Sequence, residues 1–230
     1  MSLFTDTASE MLYPVMPIYL KSIGFSIVLI GILEGVAEAT AGISKGYFGK
    51  LSDLSKRRVP FVQLGYAFSA ISKPMMAIFV FPVWIFFART IDRFGKGLRT
   101  GARDAILSDE ATPQTKAKVF GFHRAMDTFG AVLGPTFALI YLYFYPKNYK
   151  ILFFIAFIPG LLAVGSSFLL KERATTAKKL KLGNASFFSF LGYWKHSNSE
   201  YKHLLIGLLT FTLFNSSDIF LLLKAKEAGL

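Results

Sequence analysis

Residues 151–170 read ILFFIAFIPGLLAVGSSFLL, twenty uncharged positions between Lys150 and Lys171. An α-helix of that length crosses a hydrocarbon core about 30 Å thick, so the segment reads as a transmembrane helix. The composition agrees. Of 230 residues 53% are hydrophobic and 25 are Phe, while 17% are charged, against roughly 25% in an ordinary soluble domain. The mean hydropathy is +0.47. Because the chain has no Cys, a disulfide scaffold, thiolate metal sites and a Cys nucleophile are excluded, and the redox compartment stays open. A net charge of +12 would suit nucleic acid only on a polar exterior, which this composition does not supply. Basic loops on one side of a membrane account for it instead.

Working outward from that helix, apolar stretches at 1–20, 27–48, 61–80, 83–107, 119–143 and 204–223 bring the expected spans to seven. Each of these six carries an ionisable residue, which a bilayer tolerates where a protein bundle shelters the charge. The first contains Asp6 and Glu10 and has no basic leader, so it does not read as a signal peptide. Alternate loops then separate by charge. Thirteen cations, Lys50, Lys56, Arg57, Arg58, Lys116, Lys118, Lys171, Arg173, Lys178, Lys179, Lys181, Lys195 and Lys202, fall on one side, and Lys21, Lys147 and Lys150 on the other. The positive-inside rule puts segments 50–60, 108–118 and 171–203 in the cytoplasm and sends the first helix outward. Segment 171–203 starts basic and contains FFSFLGYW at 187–194, which suits a linker with a short interfacial helix; a disordered basic loop with an aromatic patch fits nearly as well. A faint repeat links YLKSIG at 19–24 with KAKEAG at 224–229, each a cationic exit followed by Gly, as parallel six-helix repeats would show.

Three stretches carry the chemistry. GKLSDLSKRR at 49–58 combines Gly49, which permits close helix approach, with Asp53 at the membrane edge and a turn of Lys56, Arg57 and Arg58. GAVLGP at 130–135 sets Gly130 and Gly134 four apart, a flat face for tight helix contact, and ends on Pro135, which frees a backbone carbonyl and bends the helix. In the fourth span, Arg89, Asp92, Arg93, Lys96, Arg99, Arg103 and Asp104 recur at three- and four-residue spacing and form a charged stripe on one face. Each intramembrane charge costs at least about 2.5 kcal/mol, so these must face partners or a water-filled cavity. Partners stand four apart on other spans: Asp6 and Glu10, then Glu34 and Glu38, then the cluster His123, Arg124 and Asp127, with Lys45 and Lys73 as isolated cations.

GKLSDLSKRR resembles the loop signature of the major facilitator superfamily, although Leu54 stands where that family usually has a cation and Lys56 where it often has a second Gly. GAVLGP is similar to the glycine-proline motif in the fifth helix of many of its members, often exporters. RTIDRFGKGLRTGARDAILSD at 89–109, GFHRAMDT at 121–128 and NSSD at 215–218 resemble a prokaryotic branch of general transporters, apart from Ala102 in place of an expected Pro. The resemblance covers essentially the whole chain. It implies an all-α membrane protein, an MFS-type six-helix bundle plus a seventh transmembrane helix, in a partial chain. It also implies that the first, fourth and seventh helices line a central cavity, the second and fifth form gates, and the third and sixth pack outside. Carried onto this sequence, Asp6, Glu10, Arg89, Arg93, Asn215 and Asp218 become substrate or proton cavity candidates. Glu34, Glu38, Gly49, Asp53, Arg57, Arg58, His123, Arg124, Asp127, Gly130, Gly134 and Pro135 become gate or coupling candidates. The plainer alternative is that the charge pairs only lock helices together in lipid.

The expected organisation is a six-helix bundle at 1–170, a cytoplasmic basic linker at 171–203, and a seventh helix at 204–230 that opens a C-terminal half. The expected function is a secondary active transporter in the cell (inner or plasma) membrane, moving a small solute by alternating access. The buried carboxylates leave room for proton coupling, and the glycine-proline motif tilts toward export. Expected partners are the solute, protons, the bilayer and the missing C-terminal half, with further first-helix residues before Met1 and about five more spans after Leu230. No cofactor, metal or nucleic acid is expected. The rival is a multi-pass membrane enzyme acting on lipid-linked substrates: Ala102-Arg103-Asp104 is a fragment of the CDP-alcohol transferase pattern without its remaining aspartates. Gly95-Lys96-Gly97 lacks the Ser or Thr and the preceding strand of a phosphate loop, and no His/Glu pair has zinc-protease spacing.

Overall fold

A computed structural model describes residues 1–172, 192–215 and 217–228, without side chains at 213 and 226. The described residues form helices and no strand. The chain divides into two compact units, Met1–Ala185 and Ser186–Leu230. The first contains α1 (Ser2–Leu12), α2 (Met16–Ser22), α3 (Ile27–Ser55), α4 (Val59–Ile78), α5 (Pro82–Glu110), α6 (Lys116–Phe144) and α7 (Tyr149–Ser167); the second contains α8 (Tyr193–His196), α9 (Ser199–Phe214) and α10 (Asp218–Glu227).

The expected continuous first span is broken into α1 and α2. Pro14 has no N–H to continue the ladder, and Pro17 sits in the first turn of α2, where a missing donor is harmless. The seventh span is likewise divided into α9, which ends at Phe214, and α10, which begins at Asp218. Asn215 takes an extended conformation at the end of α9. Helix α3 begins on Ser26, whose hydroxyl accepts the Leu29 N–H at 3.2 Å, a side-chain cap. It continues through Gly49 and Asp53 and ends only at Lys56, which is left-handed at φ 55°. The GKLSDLS stretch is thus the last part of a helix and not a loop after it. Most of the expected interfacial helix at 187–194 lies outside the described residues.

Three of the described helices, α3, α6 and α7, are long and apolar enough by themselves to cross a membrane. Burial is inverted relative to a water-soluble protein. Val28, Leu139, Tyr143 and Phe144 are exposed while Lys73, Arg89, Asp92 and Arg99 are buried, as expected of a bundle whose outer solvent is lipid. Helix α5 packs between α3 and α4, α4 packs on α7, and α1 lies against both α7 and α6. This places α3 and α6 at the two ends of the row.

Close approach along that row depends on glycine. A methyl group at Gly134 would lie 2.6 Å from both Met11 N and Thr7 O, and one at Gly130 2.6 Å from Leu3 O. The flat face of α6 therefore seats α1 directly on backbone, as small-residue faces do in membranes. Gly101 meets Gly49 in the same way, with 2.8 Å from an added methyl to the Gly49 Cα.

Candidate functional site

The charged stripe of α5 divides along its length. In its first part every acidic or basic side chain meets an opposite charge. Arg89 is 5% exposed and donates from Nε to Glu34 Oε1 at 2.8 Å and from Nη2 to Glu34 Oε2 at 2.9 Å. That two-pronged geometry is the strongest form of carboxylate contact. Its Nη1 donates to Asp92 Oδ2 at 3.4 Å. Asp92, 4% exposed, also accepts from Lys73 Nζ at 2.6 Å and Ser69 Oγ at 2.7 Å. Lys73 in turn donates to Ser9 Oγ of α1 at 3.3 Å. A continuous chain of charges, Glu34–Arg89–Asp92–Lys73, therefore ties α3, α5, α4 and α1 together with no net charge. Arg93 extends it, its Nε lying 3.3 Å from Glu38.

The second part of the stripe opens on a polar cavity of about 500 Å³. It is lined by Asp6 and Glu10 of α1, Lys45 of α3, Lys96, Arg99, Thr100, Arg103 and Asp104 of α5, and Arg124, Asp127, Thr128 and Ala131 of α6. Helices α4 and α7 contribute no lining residue. Ser2 donates to Asp127, and Arg103 donates to Asp104 from Nε at 3.2 Å and Nη2 at 3.1 Å. Arg99 is 4% exposed, its guanidinium sits 5.0 Å from the Tyr66 ring centre, and its Nη1 has no hydrogen-bond partner. His123 Nε2 lies 3.6 Å from Asp127 but makes no hydrogen bond.

Of the sequence-derived candidates, Asp6, Glu10, Arg124 and Asp127 therefore meet in one cavity. Arg89 and Arg93 do not line it; they are held by Glu34 and Glu38, and Glu10 is not opposite Arg89. At the end of the bundle, Arg58 pairs with Asp109 and, at 3.0 Å, with Asp53, while the Glu172 carboxylate accepts the Arg58 and Val59 N–H groups at 2.8 and 3.0 Å. Arg57 is exposed in the turn and its N–H donates to Ser55 Oγ at 3.3 Å. Gly49, Gly130 and Gly134 are packing positions, and Pro135 lies inside α6. Asn215 and Asp218 flank the break in the second unit. Lys45, Lys96, Arg99 and Arg103 also line the cavity; the sequence marks them as an isolated cation and members of the charged stripe, but not as cavity candidates. The available signal was their common face: Lys45 lies seven residues beyond Glu38, and Arg99 and Arg103 continue the stripe at the same spacing.

Compared with known protein families, residues 1–230 match the Major Facilitator Superfamily throughout. The chain belongs to that superfamily. An uncharacterized MFS-type transporter of Methanocaldococcus jannaschii is 31% identical over 226 residues, which is 98% of this chain and 55% of the relative. Uncharacterized proteins of Mycobacterium tuberculosis and Mycobacterium bovis are 32% identical over 117 residues, 50% of this chain and 28% of theirs. The chain thus spans about half the length of its archaeal superfamily relative. The relative is itself described as an MFS-type transporter, and the superfamily together with the apolar helix exteriors makes this chain membrane-embedded.

Proposed function

We propose that the chain forms the first helical bundle and seventh helix of a secondary active transporter that carries a small solute by alternating access. In this reading the polar cavity of α1, α3, α5 and α6 is the bundle's share of the solute site. The observation that carries it is the contrast between an apolar exterior and a 500 Å³ polar cavity, a volume in the range of small-molecule sites. The broken first and seventh spans, each interrupted shortly before a cationic exit, support the same reading, since discontinuous helices in corresponding positions accompany transporter sites.

Several finer points belong to the proposal. The excess of cations at 50–60, 108–118 and 171–203 favours a cytoplasmic side for those loops in the cell membrane. Residues 1–170 act as the six-helix half, 171–203 as the linker, and 204–230 as the start of a second half. Asp6, Glu10 and Asp127 are the groups placed to exchange protons with the cavity, and the Gly130–Pro135 face between α6 and α1 favours export. Solute counterflow into proteoliposomes containing the full-length protein tests this. Unaltered solute should cross, and Glu10→Gln should change the rate; a chemically altered product, or no flux, would contradict it.

A further inference from the structure

The charges lining the cavity point beyond transport in general to a class of solute. We infer that the cavity takes an oxyanion, a carboxylate or phosphate borne by a small solute, held by Arg99 with Lys45, Lys96 and Arg124 around it. The inference rests on reading this cavity as the solute site.

In the first part of the α5 stripe the buried charges are matched one to one. In the cavity, where Arg99 is buried and Lys45, Lys96 and Arg124 are exposed, the charges are not matched. Lys45, Lys96, Arg99, Arg103 and Arg124 face Asp6, Glu10, Asp104 and Asp127, which leaves one positive charge that a single oxyanion would balance. The pairing is more uneven than the sum. Arg103 is engaged by Asp104 and Asp127 accepts from Ser2, while Lys45, Lys96, Arg99 and Arg124 form no direct ion pair among the described residues.

Arg99 is the built element of the site. Its side chain is buried, and leaving a buried charged donor without an acceptor is costly; Arg93 Nε also lacks a hydrogen bond, but it has the Glu38 carboxylate 3.3 Å away, whereas Arg99 has no ion pair among the described residues. The Tyr66 ring beneath the guanidinium and the Gly65 backbone, which approaches so closely that an added methyl would stand 2.6 Å from Arg99 Cβ, hold it in place without neutralising it. A fixed, planar guanidinium matches the two oxygens of a carboxylate or phosphate. Lys96, one turn earlier on α5, and Arg124, across the cavity on α6, supply attraction from two sides.

Two measurements on the full-length protein test this. In the first, thermal stabilisation in phosphate-free detergent solution is compared for inorganic phosphate, glycerol 3-phosphate, succinate and benzoate against tetramethylammonium and glucose. One or more anions should stabilise, and Arg99→Gln should weaken the effect by about tenfold or more in concentration. Stabilisation by the cation or glucose only, or by none of the panel, overturns the inference.

The second needs no guess at the solute. Thr100→Cys and Thr128→Cys are labelled with negatively charged 2-sulfonatoethyl and positively charged 2-trimethylammonioethyl methanethiosulfonate, each rate normalised to a free thiol. The anionic reagent should be favoured by about tenfold, with the preference largely lost in Arg99→Gln. Equal rates, a cationic preference, or no labelling overturns the inference. Protection of Thr100→Cys by phosphatidylglycerol but not phosphatidylcholine, with no effect of the soluble anions, would assign the oxyanion to a lipid headgroup; protection by a soluble anion assigns it to a free solute. Anion binding without counterflow would remove the transporter reading and leave this one standing, whereas counterflow of a cation or neutral solute would do the reverse.

Discussion

From Arg89 to Arg93, α5 buries its charges against Glu34, Glu38 and Lys73 of its neighbours; from Lys96 to Arg103 the same face borders the polar cavity. The residue types are alike and the spacing is the same. The difference lies in what the neighbouring helices present. Helices α3 and α4 bring carboxylates and a lysine to the first part, so its charges cancel and the contact works as a rivet. At the second part α1 and α6 stand back across a 500 Å³ gap, and the cations keep their charge for whatever enters. A charged stripe in a membrane helix can thus serve cohesion and binding at once, one along each part of its length.

The comparison can be broken most severely at its sealed end. Asp92→Ala strands Lys73 without its carboxylate, although Arg89 keeps Glu34, and loss of one member of a buried ion pair costs about 3–5 kcal/mol. Folded protein recovered by size-exclusion chromatography should drop sharply, and a Lys73→Met, Asp92→Leu double variant should recover part of it. Asp104→Ala, at the open end, should be milder; equal damage would erase the distinction. Next comes the seat of α1 on α6, on which the cavity's second wall depends. Gly134→Leu forces a side chain into the Met11 and Thr7 backbone and should lower stability by about 1–3 kcal/mol, read as a fall in the thermal midpoint, whereas Gly165→Leu, where an added methyl meets nothing within 4 Å, should not. Glu172→Gln weakens the carboxylate contact with the first N–H groups of α4, an effect of about 1 kcal/mol in the same assay. The smallest change is expected for Arg99→Gln, about 0.5–1 kcal/mol for the lost stacking on Tyr66, because no ion pair is broken; a loss as large as that of Asp92→Ala would mean that Arg99 belongs to the rivet.

Much of this was legible in the sequence, for definite reasons. Residues 151–170 announce a span because nothing charged interrupts them, and the spacing of Gly130 and Gly134 announces a flat face. The four-residue spacing of Glu34 and Glu38 places them on one face of α3, but periodicity does not say which helix that face meets. Arg89, fifty-five residues away, could by spacing alone have met the carboxylates of α1, whereas Glu34 holds it. Helix ends were obscured for a similar reason. Pro14 could have bent the first span or ended α1, and Gly49 could have begun a turn, whereas contact with Gly101 keeps it inside α3. The cavity cations were hardest to single out, since a lone Lys45 has no local partner to mark it and its role depends on three other helices.

The most direct test compares two adjacent residues of α6. Ala131 lines the cavity, and Val132, the next residue, is exposed on the apolar exterior; the 230 residues contain no native Cys to compete. Labelling of Ala131→Cys and Val132→Cys in proteoliposomes by a membrane-impermeant, water-borne thiol reagent should be rapid at the first and slow at the second. Equal labelling, or faster labelling at Val132→Cys, would contradict the existence of an aqueous cavity inside the bundle.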